Sequence, residues 1–108
     1  MEKKFELVHK LAKCIHVCNY CFNACLEEEH VAMMKECIRL DKECSQICSA
    51  TLGLLYKDSH FKKDMLVICK NVCRDCAIEC ERFEHEHCKK CAEICRECEA
   101  ACEEALKM

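Results

Sequence analysis

A chain of 108 residues with 16 cysteines, one glycine, no proline and no tryptophan has little material for turns. That excludes collagen-like, β-sandwich and low-complexity architectures and leaves one compact helical domain over residues 1–108. A net charge of −3 offers nucleic acid no basic surface, and no run of about 18 uncharged apolar residues is present to span a membrane.

The first predicted helix, about Lys4 to Leu26, places cysteine at 14, 18, 21 and 25. At about 100° per residue this 4-3-4 spacing gathers four thiols into an arc of roughly 60°, and Leu7 and Leu11 extend the stripe backward. The second helix, about Val31 to Tyr56, carries Cys37, Cys44 and Cys48 on one face, preceded by His30, Met33 and Met34 and followed by Thr51, Leu52 and Leu55. Asp41 stands on that face where the other helices would have a thiol. It is expected to accept from an N–H group or to pair with a nearby Lys or Arg. The third helix, about Phe61 to Phe83, repeats the spacing with Cys69, Cys73, Cys76 and Cys80. The fourth, about Cys88 to Leu106, is densest, with Cys88, Cys91, Cys95, Cys98 and Cys102. Short polar connections make neighbouring helices antiparallel and turn all four stripes inward. The expected fold is all-α, an up-down-up-down four-helix bundle with a cysteine-lined core.

Packing alone does not account for such a core, because each cysteine gives up volume that a Leu or Ile would bury, ordinarily on the order of 1 to 3 kcal/mol. Disulfides within a helix are disfavoured, since residues four apart hold their Cβ atoms about 5 to 6 Å from each other and a disulfide wants roughly 3.5 to 4.5 Å. The charged start, Met1 to Lys4, is followed by Glu6, His9, Lys10 and Lys13 and not by a cleavage pattern, so the expected compartment is the cytoplasm, where thiols stay reduced.

Thiolates one helical turn apart on facing helices suit a soft metal ion. Zinc knuckles need turns with glycine, and the ferredoxin cysteine run ends in proline; neither occurs here. Cu(I), content with two or three soft ligands, fits a narrow tube, and many such ions per chain would balance the thiolate charge. The expected ligands are all 16 cysteines. The first and third connections fall at one end, which collects His30, Met33, Met34, His85 and His87 beside Cys25 and Cys88 as a mouth. Leu7, Leu11, Leu52, Leu55, Phe61, Met65, Leu66 and Leu106 form a plug at the other. His9, His16 and His60 are expected on the surface, and Val67 and Ile78 face outward as a possible contact with further copies.

With these motifs in place, the chain resembles the bacterial copper storage proteins, in particular their cytosolic branch. The resemblance rests on the stripes Cys14 to Cys25 and Cys69 to Cys80, the segment Cys37 to Cys44 with Asp41 inside it, and the run His85 to Cys95. It implies a four-helix bundle holding many Cu(I) ions, commonly a homotetramer, with a mouth lined by His or Met. No Ser/His/Asp set, phosphate-cradling loop or converging carboxylate pair suggests an enzyme. The competing readings are a zinc or general soft-metal detoxification protein and a thiol–disulfide or iron–sulfur redox protein.

Overall fold

A computed structural model describes residues 2–108. Four α-helices follow one another: α1 (Glu2–Leu26), α2 (Lys35–Tyr56), α3 (Lys62–Cys80) and α4 (Glu86–Leu106). An acidic residue sits in the first turn of each, Glu2, Glu36, Asp64 and Glu86, where it meets the positive end of the helix dipole. Each helix packs on two neighbours in a square, α1 on α2 and α4, and α3 on α2 and α4, giving a bundle of 44 × 18 × 17 Å. The up-down-up-down expectation therefore holds.

α1 begins at Glu2 and α3 at Lys62, one or two residues from the sequence reading, and three further boundaries differ for local reasons. The segment Val31–Met34 is a 3-10 turn that leads into α2 and not its first α-helical turn. α3 stops at Cys80, where Arg82 N–H and Phe83 N–H bond back to the carbonyls of Glu79 and Cys80 at 3.1 and 3.2 Å. α4 starts two residues early because the His85 carbonyl accepts from both Cys88 and Lys89 N–H at 3.0 Å. Between α2 and α3 the chain reverses at Asp58, whose φ of 52° is left-handed. A short polar side chain tolerates this conformation, and the Lys62 ammonium pairs with its carboxylate. The only glycine is not used there: Gly53 lies inside α2.

Leu7, Leu11, Leu55 and Leu66 are buried together with the thiols, so the expected plug forms around these four. Leu52 and Leu106 pack against them half-buried. Phe61 does not join: it occupies the turn before α3, remains 62% exposed and meets the His60 ring edge-on. Ile94 and Met34 are the other large apolar side chains fully enclosed.

Candidate metal centre

All 16 cysteine side chains are fully buried and all are free thiols. Neighbouring sulfurs lie 3.5 to 3.9 Å apart, from Cys37···Cys80 at 3.5 Å to Cys14···Cys18 at 3.9 Å. That is van der Waals contact, far beyond the roughly 2.0 Å of a disulfide. The 4-3-4 spacing produces the arrangement directly: each helix turns one side chain per turn to the axis, a sulfur at every such position of the stripes except Asp41 on α2.

The sulfurs form overlapping groups whose ligand atoms all lie within 4.8 Å of one another: Cys14/Cys44/Cys48/Cys73, Cys14/Cys18/Cys44/Cys95, Cys18/Cys76/Cys91/Cys95 and Cys48/Cys69/Cys73/Cys98. Cys14, Cys18, Cys44, Cys48, Cys73 and Cys95 each serve two of these groups. These ten thiols thus share ligand positions and are not a set of isolated cages, and Asp41 links them to Cys37 and Cys80 towards the mouth. Hydrogen bonds to neighbouring thiols, and then burial, push Cys18, Cys21, Cys73 and Cys95 up and keep them as neutral thiols.

Asp41 completes the 4-3-4 pattern of α2 between Cys37 and Cys44, and its carboxyl lies fully inside the column. The expectation of an N–H donor or a basic partner is corrected. Its Oδ1 is 3.3 Å from Cys76 Sγ, 3.4 Å from Cys91 Sγ and 3.5 Å from Cys80 Sγ, and Oδ2 is 3.8 Å from Cys37 Sγ. A single inward position per turn on α2 points it at thiols from the facing helices. Burial first, and then the charges of Cys91 and Cys37, raise its pKa to about 9.

At the end where α1 finishes and α4 begins, His87 joins the column. Its Nδ1 lies 3.5 Å from Cys21 Sγ, 3.5 Å from Cys88 Sγ and 4.0 Å from Cys25 Sγ, and Cys21/Cys25/His87/Cys88 form a further group of converging ligand atoms. His87 Nε2–H donates to Glu28 Oε2 at 2.7 Å, and this bond holds the Glu28 carboxyl below its usual range. His85 stacks on His87 with centroids 5.3 Å apart and planes 4° from parallel. Of the other residues expected at the mouth, Met34 is buried in the core, while Met33 and His30 are exposed on and before the 3-10 turn. His9, His16 and His60 are exposed, as expected. Glu28 escaped the sequence reading because it is the middle one of Glu27-Glu28-Glu29, and nothing in three identical residues marks the one that meets a histidine.

A family model for the copper storage protein matches residues 1–107. The chain belongs to the copper storage protein family. Among curated proteins, an uncharacterized cysteine-rich protein YhjQ of Bacillus subtilis is 40% identical over 76 residues, 70% of each chain. Among solved structures, the chain is similar to a cytosolic copper storage protein from Streptomyces lividans holding five coppers, with a TM-score of 0.95 and 37% identity over 99% of this chain and 94% of that one. It is also similar to copper storage protein 3 of Bacillus subtilis in the apo form, with a TM-score of 0.89 and 36% identity over 94% of this chain and 96% of that one. Family membership thus meets a core lined by 16 buried thiols.

Proposed function

We propose that this chain is a cytoplasmic Cu(I) store without enzymatic activity, its ligands the 16 core cysteines and His87. The observation that carries the proposal is the sharing of sulfurs between groups: a thiolate shared by two groups is a bridging ligand, and bridging is what allows many Cu(I) ions to be held on 16 sulfurs. Each ion that binds replaces one thiol proton, so the core stays neutral from empty to full. That matters in a fully buried site, where uncompensated charge is costly. The alternative zinc and redox readings lack the support that the copper storage family match gives to copper.

Copper enters and leaves at the His87 end, because the opposite end presents Leu7, Leu11, Leu55 and Leu66, side chains that offer a metal no ligand. His85, His30 and the exposed Met33 supply weaker ligands around that mouth, with Met34 behind them. Association with further copies, a tetramer by family resemblance, would use the outward apolar residues Val67, Ile68 and Ile78 of α3. An anaerobic titration of the reduced protein with Cu(I) against a chromogenic chelator tests the storage role. Saturation at many ions per chain is expected, and saturation at one or two would discard it.

A further inference from the structure

We propose that Glu28 is the positioning residue of the copper mouth: it fixes the tautomer and ring orientation of His87 so that Nδ1 meets incoming Cu(I) with a free lone pair. This inference rests on the storage reading above and adds to it a residue that touches no sulfur.

The geometry is specific. An ionised carboxylate only accepts hydrogen bonds, so the 2.7 Å contact between Glu28 Oε2 and His87 Nε2 places a proton on Nε2. A neutral imidazole with its proton there has its lone pair on Nδ1. That is the nitrogen facing Cys21, Cys25 and Cys88 at 3.5 to 4.0 Å. Were the proton on Nδ1, the ring would present an N–H to the sulfurs and would have to shed or move it before binding metal. An outer carboxylate that orders a histidine ligand in this way is a recurrent device at metal sites.

Both partners are held by backbone and not by chance side-chain placement. Glu28 N–H bonds to the Cys25 carbonyl at 3.2 Å, so the carboxylate travels with the last thiol of α1. His87 lies in the first turn of α4, fastened by the bonds from Cys88 and Lys89 to the His85 carbonyl. The His87 side chain is only 12% exposed, and His85, stacked on it, brings Nδ1 to 3.5 Å from the same Glu28 oxygen. Glu28 therefore ties together the end of α1 and both histidines before α4 and within its first turn. The neighbouring Glu27 and Glu29 make no such contact among the described residues.

The test uses the full-length reduced protein and compares wild type, Glu28→Ala, Glu28→Gln and, as a reference, His87→Ala. Long-range 1H–15N correlation spectra of the apo forms report the tautomer of His87. Anaerobic stopped-flow transfer of Cu(I) from a chromogenic chelator reports capture at the mouth. Wild type should show one tautomer with the proton on Nε2. Glu28→Ala should show a mixed or averaged ring and a capture rate lower by about 10- to 100-fold. Glu28→Gln should restore both, since its amide oxygen accepts the same hydrogen bond. A wild-type ring protonated on Nδ1, an Ala variant indistinguishable from wild type, or a Gln variant as impaired as the Ala one would each overturn the positioning role. Failure of the storage reading looks different: wild type itself would saturate at one or two ions, while the spectra would still read the Glu28–His87 pair.

Discussion

Replacing Asp41 by Asn should stabilise the empty protein at neutral pH and destabilise it in acid. The carboxyl is enclosed by four thiols, and burial together with the charges of Cys91 and Cys37 raises its pKa from 3.8 to about 9. A raised folded-state pKa means the native state keeps a proton that the unfolded chain releases. The contribution of Asp41 is thus fully favourable below the unfolded value and is lost steadily as pH rises towards 9. Between pH 3.8 and 7 the loss amounts to about 4 kcal/mol at about 1.4 kcal/mol per unit. Asn carries no such titration, but its NH2 group finds only sulfur acceptors, at a cost of about 1 to 3 kcal/mol. The net expectation is a variant on the order of 1 to 3 kcal/mol more stable at pH 7 and less stable than wild type by a similar amount near pH 4. Guanidinium unfolding followed by circular dichroism, under anaerobic reducing conditions at several values from pH 4 to 8, reads the difference. A stability difference that does not change with pH would mean that Asp41 is already ionised in the folded protein, and the neutral-core argument would fall.

The reduced, metal-free protein should show strong helical circular dichroism, since the four leucines, Ile94 and Met34 form a core that does not depend on metal; an unfolded apo state would refute a preformed tube. Leu11→Ala, at a fully buried position of the plug, should cost about 2 to 5 kcal/mol in the same unfolding assay, and a loss below 1 kcal/mol would show that the plug is loosely packed. Gly53→Ala should gain about 0.5 to 1 kcal/mol, because Gly53 is inside α2 and nothing lies within 4 Å of an added Cβ; a loss would contradict that open space. His87→Ala should slow copper capture and release more than it lowers total capacity, measured by stopped-flow transfer from a chelator and by titration. Unchanged rates with a large fall in capacity would remove His87 from the mouth.

The helices and the column of thiols were legible in the sequence because both depend on a single number, the 3.6-residue turn. Cys14, Cys18, Cys21 and Cys25 can share an axis only if the segment is helical and faces inward, and the same argument holds for the other three stripes. What was not legible depends on which side chain of several crosses to another helix. Asp41 was placed on the correct face, but its partners come from α3 and α4, and the sequence of α2 holds no trace of Cys76, Cys80 or Cys91 converging on it. Glu28 meets His87 across 59 residues of chain, and only the docking of α1 against α4 selects it from its two neighbours. Phe61 was assigned to the plug by its apolar character alone, and the turn that holds it outside is set by the left-handed Asp58 and the bonds around it.

Asp41 and the histidines mark two different solutions to the same electrostatic problem. A buried column of 16 thiols is tolerable only while neutral, so each proton that leaves must be matched by an arriving cation. On the storage proposal, His87 would meet that requirement at the mouth as an uncharged ligand, its proton on the Nε2 that faces Glu28. Deeper in, Asp41 meets it as a protonated acid, neutral beside thiols and able to give up its own proton when a cation arrives between Cys76, Cys80 and Cys91. A thiol at position 41 would keep the column uniform and add a soft ligand. The carboxyl instead gives this level a hard oxygen, hydrogen-bonded to thiols of three helices.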